Sequence, residues 1–475
     1  MKPRAILAAT LAMILPGPRA ERTPEAPGGD LSQLAGTWTG VLKAGPVSLH
    51  MVLHFTQHPD GSWIGTLDSP DQGKFGIPID RIEYRESILV ATSNRLHGGF
   101  TGCYRAQEDQ FEGKWSQGLF KAALVLRRGE APVAKRPQEP TPPFPYRVEE
   151  VSYASGIDTL FGTLTIPEGH GPFPAVLLIP GSGRHDRDST LFGHKPFKLW
   201  ADILTRRGIA VLRVDDRGIG GSTLNHPEIT SESNAQDAQA GVAYLRSRSD
   251  IDARGIGLLG HSEGGLIADM VAASDSAIAF IVLLAAPGLP GDQIIVQQVG
   301  KIAQAMGQSP EKVQEGIAKQ MAILEIVKGP DDVPTARRRL TALLTGFAMA
   351  EDERELVPGT IETLLSPWYR FFVRTDPRKY LTNVRCPVLA VNGQADVQVE
   401  AEPNLAAIRS TLESNGNHAV TVLSEPHLNH LMQTAKTGLP TEYGELEGTV
   451  APAVLEAVGS WIALEVRKSR EAARS

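Results

Sequence analysis

The residues best suited to chemistry lie in the segment Gly-His-Ser-Glu-Gly-Gly at positions 260–265. The apolar run Ile256–Leu259 precedes this segment, and a run rich in alanine, methionine and valine, which predicts a helix, follows it. In such a strand–turn–helix context, Gly-x-Ser-x-Gly predicts a nucleophile elbow, a sharp turn that holds a serine hydroxyl clear of the backbone. Ser262 is therefore the predicted nucleophile. The backbone N–H of Glu263, at the helix N-terminus, is a predicted donor to a developing oxyanion.

A serine nucleophile needs a base and an acid that orients the base, and both are expected later in the chain. Asp396 comes just after the apolar run Val388–Val391, and His430 follows the run Ala419–Leu423. Because the carboxyl ends of parallel strands meet at one edge of a sheet, we predict His430 as the base and Asp396 as the acid. His427 is the alternative base. For Asp396 the alternative is a purely structural role as the cap of a turn or helix.

The second oxyanion donor is expected in the loop after the third strand of the same sheet. This loop is Ile-Pro-Gly-Ser-Gly-Arg-His-Asp at 179–186, and its small residues allow the backbone to approach a substrate. We predict the Ser182 N–H as the donor, with Gly183 next in order. No base is placed for a nucleophilic role of Ser182. The sequence shows no cluster of metal ligands and no phosphate-binding loop, so it implies neither a cofactor nor a metal.

The elements that must position these residues follow from eight apolar runs between residues 147 and 467. Most runs are continuous rather than alternating, which indicates strands covered on both faces, as in a mostly parallel sheet with helices between the strands. We predict a doubly wound α/β core formed by residues 147–287 and 386–467. The intervening residues 288–385 have a mostly helical pattern and are predicted to form a cap over the carboxyl ends of the strands.

An all-β domain is predicted for residues 31–129, before this core. Apolar residues alternate with polar ones at Leu49, Met51, Leu53 and Phe55, and a Gly-x-Trp pattern occurs three times, ending at residues 38, 63 and 115. These features predict a small antiparallel barrel with the indoles inside it. Residues 130–146 contain six prolines and are predicted to form a semi-rigid extended linker.

The N-terminus and the composition limit the compartment and the partners. Lys2 and Arg4 precede an apolar run from Ala5 to Leu15, and the small residue Ala20 follows, which predicts a signal peptide over residues 1–20 and an exported protein, periplasmic or secreted. The run is too short for stable membrane insertion. A net charge of −7 argues against a nucleic-acid partner. The two cysteines fall in different predicted domains, so no disulfide framework is expected.

Several motifs resemble those of a known superfamily. The segment Asp-Asp-Arg-Gly-Ile-Gly-Gly-Ser at 215–222 resembles the turn after the fourth strand in α/β-hydrolases of the serine-aminopeptidase-like and dienelactone-hydrolase-like groups. The segments at 180–188, 260–265, 366–370, 393–399 and 428–431 look like those of secreted bacterial esterases of that superfamily. The resemblance covers roughly residues 147–467. The barrel lies outside it, although Gly-Thr-Trp at 36–38 resembles the entry of lipocalin-like barrels.

This resemblance implies an α/β-hydrolase fold and ester hydrolysis through an acyl-enzyme, with Ser262, Asp396 and His430 as the triad. It also favours His430 over His427. Arg184 and His185 depart from the pattern, because a smaller or apolar pair is expected beside the oxyanion loop. The resulting hypothesis is an exported serine carboxylesterase acting on small to medium acyl esters, with a small-molecule substrate as its partner. The alternatives are a peptidase or acylaminopeptidase using the same triad, and a non-catalytic ligand-binding protein.

Overall fold

The structure of the chain is a computed structural model that describes residues 34–472 except 45–46, 58–61, 71–73, 95, 97, 118–119, 130–134, 226–228 and 348–356. The predicted signal peptide lies outside the described residues, as do the first residues of the predicted linker. The chain divides into two compact units. The first contains the chain up to Lys135 together with Leu191–Gly193 and Arg337–Thr363, and the second contains Arg136–Thr190, His194–Ala336 and Leu364–Ser475.

The first unit is built on a nine-stranded antiparallel sheet that is nearly closed and barrel-like. The strands lie in the order β4-β3-β2-β1-β9-β8-β7-β6-β5. Their bounds are β1 Gly36–Ala44, β2 Val47–Gln57, β3 Trp63–Ser69, β4 Lys74–Ile79, β5 Arg81–Arg85, β6 Ile88–Ser93, β7 Gly98–Arg105, β8 Gln110–Gln117 and β9 Phe120–Arg128. Long antiparallel pairing of this kind follows from the alternating pattern, because successive side chains point to opposite faces of a strand.

One face of this sheet holds an aromatic core. Trp38, Trp63 and Trp115 are all buried, as the Gly-x-Trp pattern predicted. The indole Nε1–H of Trp38 donates to the Leu34 carbonyl oxygen at 2.9 Å, and its ring lies edge-on to Phe111 with centroids 4.7 Å apart. Edge-to-face packing of this kind adds to the stabilisation that burial of the rings provides.

The second unit contains an eight-stranded sheet in the order β10-β11-β13-β12-β14-β15-β16-β17. The strands are β10 Tyr146–Ser155, β11 Asp158–Pro167, β12 Phe173–Ile179, β13 Ala210–Val214, β14 Ile251–His261, β15 Ile281–Leu284, β16 Val388–Gly393 and β17 Val420–Glu425. Strand β11 is antiparallel to both of its neighbours, and every pairing from β13 to β17 is parallel. This topology, with helices in the connections, is an α/β-hydrolase fold and confirms the predicted fold class.

Eleven α-helices are described. They are α1 Pro196–Thr205, α2 Ser231–Ser247, α3 Glu263–Ser274, α4 Gly291–Ala305, α5 Pro310–Lys328, α6 Val333–Gly346, α7 Val357–Leu364, α8 Pro367–Arg374, α9 Arg378–Leu381, α10 Ala401–Ser414 and α11 Pro452–Ala472. Six of them, α4 to α9, follow the sixth strand of this sheet, β15, where the helical insertion was predicted. Among the described residues, no helix combines the length and apolarity needed to cross a bilayer.

The proline-rich segment has no regular secondary structure over its described residues 135–145. From Arg136 onward it belongs to the second unit, and its side chains bind the backbone there. The Arg136 guanidinium donates to the carbonyl oxygens of Gly444 and Leu446, each at 2.9 Å, and the Gln138 amide donates to the Val450 carbonyl at 2.8 Å. Charged and amide donors on backbone carbonyls replace the ladder bonds that proline cannot make.

Candidate active site

Ser262 lies on a sharp turn between strand β14 and helix α3. Its backbone has φ 55° and ψ −124°, a conformation that L-residues rarely adopt outside strained functional turns. The flanking glycines are required by close packing, because a Cβ on Gly260 would lie 2.1 Å from the Gly264 carbonyl oxygen and a Cβ on Gly264 would lie 2.2 Å from the Ile179 oxygen. The predicted elbow geometry is therefore present in the backbone.

The structure brings His430 and Asp396 together, both buried. His430 Nδ1 lies 2.8 Å from Asp396 Oδ2. The other carboxylate oxygen, Oδ1, accepts the backbone N–H groups of Gln398 at 2.8 Å and Val399 at 2.9 Å. Because an ionised carboxylate only accepts hydrogen bonds, Nδ1 carries the imidazole proton and Nε2 keeps its lone pair free. This is the tautomer that a general base needs.

Two loops at the carboxyl ends of neighbouring strands hold this pair. The loop after β16 begins at Gly393, where a Cβ would lie only 2.1 Å from the Leu428 carbonyl oxygen of the loop after β17. The backbone N–H of Ala395 donates to the same oxygen at 3.0 Å. The buried Asn429 side chain closes the turn that carries His430, since its Oδ1 accepts the backbone N–H groups of Leu431 and Gln433, each at 3.0 Å.

His261, the residue before Ser262, connects the elbow to the turn that carries His430. Its Nε2–H donates to the His430 carbonyl oxygen at 2.8 Å, and the two imidazole rings lie with centroids 4.9 Å apart. Burial, with a smaller contribution from His430, lowers the pKa of His261 to about 3. A neutral His261 is therefore maintained across the physiological range, and it supplies a donor without adding charge beside His430.

Within the described part of the chain, no hydrogen bond joins Ser262 Oγ to His430. Such contacts are often long until a substrate binds, so the separation does not weigh against a nucleophile–base pair. His427, the alternative base, is exposed and has φ 59°. Its backbone carbonyl accepts the Ala435 N–H at 2.8 Å, which gives it a place in the turn.

The loop that carries Ser182 lies beside Ser262. A Cβ on Gly181 would lie 3.1 Å from the Ser262 Cβ, so only a small residue fits there easily. The two residues that departed from the family pattern anchor this loop to the segment after β13. The Arg184 guanidinium donates to the Arg217 carbonyl oxygen at 2.6 Å, and the His185 backbone N–H donates to Asp216 Oδ2 at 2.7 Å.

Asp216 and its neighbour Asp215 bind this loop and not His430. Burial raises the pKa of Asp216 to about 7, and the His185 hydrogen bond acts in the opposite direction. Asp215 pairs with the Arg187 guanidinium at 2.8 Å. Neither carboxylate is hydrogen-bonded to His430, whose carboxylate partner is Asp396.

Glu263 has a buried side chain that motif analysis left unassigned. Its carboxylate accepts the indole Nε1–H of Trp368, at 2.9 Å from each oxygen, and the hydroxyl of Ser231 at 2.5 Å. Burial raises the pKa of Glu263, and hydrogen bonds from Ser231, Ser182 and Trp368 act against that rise. The motif around Trp368 was noted in the sequence, but nothing in the local pattern indicated that its partner would lie at the elbow.

Comparison with known proteins shows the family of this chain. The model of the X-Pro dipeptidyl-peptidase (S15) family matches residues 156–424, more than half of the chain. The chain belongs to the S15 family. The match spans the elbow, helices α4 to α9 and Asp396, and it ends just before the turn that carries His430. Membership confirms the predicted α/β-hydrolase superfamily and the hydrolase class.

Individual relatives of this S15 chain include two curated enzymes. It is 28% identical to esterase EstD of Thermotoga maritima over 309 residues. The matched region covers 64% of this chain and 66% of EstD. It is 24% identical to the acylamino-acid-releasing enzyme of Rattus norvegicus over 262 residues. That matched region covers 54% of this chain and 28% of the rat enzyme. The chain thus spans less than two thirds of the length of each of these relatives.

Among solved structures, an esterase of Pyrococcus furiosus matches with 14% identity and a TM-score of 0.42, covering 68% of this chain and 91% of the other. A dienelactone hydrolase from Anabaena variabilis matches with 15% identity and a TM-score of 0.37, covering 67% of this chain and 97% of the other.

Proposed function

We propose that this S15-family chain is a serine carboxylesterase in which Ser262 is the nucleophile, His430 the general base and Asp396 the orienting acid. The observation that carries the proposal is the hydrogen bond between His261 and the His430 backbone at 2.8 Å. It ties the buried His430–Asp396 pair to the residue immediately before an elbow serine. A hydroxyl, an imidazole and a carboxylate held in this relation are the parts of a serine hydrolase.

In the proposed mechanism, Ser262 Oγ attacks the ester carbonyl while His430 Nε2 takes its proton. The imidazolium that forms is stabilised by Asp396, and the backbone N–H groups of Glu263 and Ser182 stabilise the oxyanion. His430 then protonates the leaving alcohol, which leaves an acyl group on Ser262. Water, activated by the same imidazole, hydrolyses this acyl-enzyme. The proposed substrates are small to medium acyl esters, in keeping with the identity to esterase EstD.

The test is intact-mass analysis after treatment with a fluorophosphonate probe, together with hydrolysis of p-nitrophenyl butyrate. We expect one adduct on the wild type and none on Ser262→Ala, with a loss of about 10⁴–10⁶ in kcat for the variant. Ester hydrolysis that survives Ser262→Ala unchanged would remove this serine from the mechanism. Absence of both adduct and hydrolysis in folded wild-type protein would favour a non-catalytic ligand-binding protein.

A peptidase or acylaminopeptidase is the second candidate, because the matching family model is that of X-Pro dipeptidyl-peptidases and a rat acylamino-acid-releasing enzyme is among the relatives. The same triad would attack an amide. Comparing kcat/KM for matched ester and anilide substrates with one acyl group decides between the two. A higher value for an X-Pro or acylamino anilide than for the ester would favour the peptidase.

We also propose that the protein is exported. The support is the basic pair Lys2 and Arg4, followed by the apolar run Ala5–Leu15 and by Ala20. Fractionation of expressing bacteria and the mass of the recovered protein test this proposal. We expect a periplasmic or secreted product that lacks residues 1–20, whereas a full-length cytoplasmic product would contradict it.

A further inference from the structure

The Glu263 carboxylate interacts with residues from three segments that are distant in the chain. It receives the indole N–H of Trp368 from helix α8 at 2.9 Å and the hydroxyl of Ser231 at the start of α2 at 2.5 Å, and Ser182 of the oxyanion loop interacts with it. The side chain is fully enclosed, at 1% exposure. A buried acceptor with several partners fixes their positions, because releasing any of them would leave a buried polar group unpaired.

The partner from the insertion, Trp368, also has a contact within its own helix. Its ring stacks on Phe372, with centroids 5.9 Å apart and planes 18° apart. Helix α8 is anchored to the end of α5 by Arg374, whose guanidinium donates to the carbonyl oxygens of Val327 at 3.2 Å and Gly329 at 2.7 Å. The indole itself is only partly buried. Part of a large, rigid ring is therefore left accessible next to the residue that follows the nucleophile.

The site chemistry indicates which part of an ester this ring meets. In the proposed function, the leaving oxygen must face His430, since His430 protonates it. The carbonyl oxygen must face the backbone N–H of Glu263, and Trp368 is hydrogen-bonded to the side chain of that same residue. An acyl chain that extends away from His430, on the side of Glu263, would meet this indole.

We propose that Trp368 is a specificity-determining residue that limits the length of the acyl chain accepted at Ser262, and that Glu263 is the positioning residue that holds its indole. This proposal rests on the proposed esterase function. It assigns a task to the insertion, because α8 supplies one wall of the acyl site. The hydrogen bond between Glu263 and Trp368 keeps that wall in place against long acyl chains.

The test uses the full chain and p-nitrophenyl esters of acetate, butyrate and octanoate, with four variants. Trp368→Phe removes the indole N–H and reduces the ring, and Glu263→Ala removes the acceptor. Glu263→Gln keeps one oxygen that accepts the indole N–H. The matched control is Trp461→Phe on the last helix, α11. It removes another partly buried indole, whose N–H donates to Thr421 Oγ1 at 3.3 Å.

We expect the ratio of kcat/KM for octanoate over acetate to rise by about tenfold or more in Trp368→Phe and Glu263→Ala, the size of effect that a change in an apolar pocket produces. The change should fall mainly in KM for the octanoate ester. Glu263→Gln and Trp461→Phe should stay within about threefold of the wild-type ratio, because the first retains the acceptor and the second lies outside the site.

An unchanged ratio in Trp368→Phe, which retains an aromatic core residue and should fold, overturns the proposal even if Glu263→Ala does not fold. So does a change confined to the alcohol group, measured with phenyl and 1-naphthyl acetate. In both cases wild-type hydrolysis and fluorophosphonate labelling of Ser262 would leave the esterase function standing. Wild-type protein that neither labels nor hydrolyses these esters would instead refute the proposed function, and this proposal with it.

Discussion

Replacing Asp396 with asparagine tests the proposed triad most directly, because the structure dictates how the new amide must lie. Oδ1 of Asp396 accepts two backbone N–H groups, from Gln398 and Val399. An amide nitrogen in that place would face two donors, so the asparagine oxygen must occupy it. The NH₂ group then faces His430 Nδ1, where Oδ2 now lies at 2.8 Å.

A donor facing Nδ1 forces the imidazole proton onto Nε2, the nitrogen that must accept the Ser262 proton. The variant therefore keeps its geometry but holds the wrong tautomer. Such a change costs about 10⁴ in kcat, or about 5 kcal/mol of transition-state stabilisation. The loss should affect all esters equally, because it acts on proton transfer rather than on binding.

The assay is kcat/KM for p-nitrophenyl butyrate between pH 6 and 9, together with the rate of fluorophosphonate labelling. Both should fall together, while the melting temperature shows that the variant is folded. Asp376→Asn is the matched control, since Asp376 is bonded to the exposed Arg378 at 2.6 Å on the surface. Retention of more than about a tenth of wild-type kcat/KM by Asp396→Asn would refute the assignment of the acid, given the size of effect expected.

Three further predictions concern neighbouring residues. His430→Ala should lose at least about 10⁴ in kcat for ester hydrolysis, whereas His427→Ala should stay within about twofold of wild type. A larger loss of kcat in His427→Ala than in His430→Ala would make His427 the base. His261→Ala should lower kcat about tenfold to a hundredfold, because it leaves the His430 carbonyl without its buried donor; unchanged steady-state kinetics would deny His261 a positioning role. Asp269 is fully buried in α3, and its carboxylate oxygens have no hydrogen-bond partner among the described residues. Burial raises the pKa of Asp269 well above its ordinary value. The stability that this carboxyl contributes is thus greatest at acid pH and is lost as pH rises above about 4. The melting temperature of Asp269→Asn should therefore rise relative to that of the wild type as pH increases. A difference in melting temperature that does not change with pH would contradict this.

The central strands of the second sheet, β12 to β16, could be predicted because most of their residues are buried on both faces and so form continuous apolar runs. The ends of the strands were less certain. Strand β14 begins at Ile251 rather than at Ile256, since Asp252 and Arg254 interrupt the apolar run although residues 252–255 continue the strand. Strand β15 begins at Ile281 rather than at 278, although Ala279 and Phe280 already bond the backbone of β14: the Ala279 N–H donates to the Ile256 oxygen at 2.9 Å and the Phe280 oxygen accepts the Leu258 N–H at 3.1 Å.

The positions of the candidate site residues could also be predicted, because elbow, acid and base each follow a strand end. Their supporting contacts could not. His261 and His430 are 169 residues apart in the chain, and Glu263 and Trp368 are 105 apart. Periodicity shows which face of an element is buried, but it does not identify the partner across the interface. The alternation of the first sheet likewise predicted buried indoles without indicating that strands β4 and β5 would be its two ends.

The buried polar groups of the second unit differ in what they can contribute to function. His261, Glu263 and Asn429 each bind segments that carry the candidate site, so truncating one would disturb catalytic geometry and local stability together. Asp269 has no such partner, and its burial lowers stability without positioning any part of the site. Alanine at His261 or Asn429 should therefore lower kcat and melting temperature in parallel, whereas Asp269→Asn should change the melting temperature alone. Buried polar groups that have hydrogen-bond partners in the site maintain its geometry. The partner, rather than burial itself, therefore determines which buried polar groups affect the reaction.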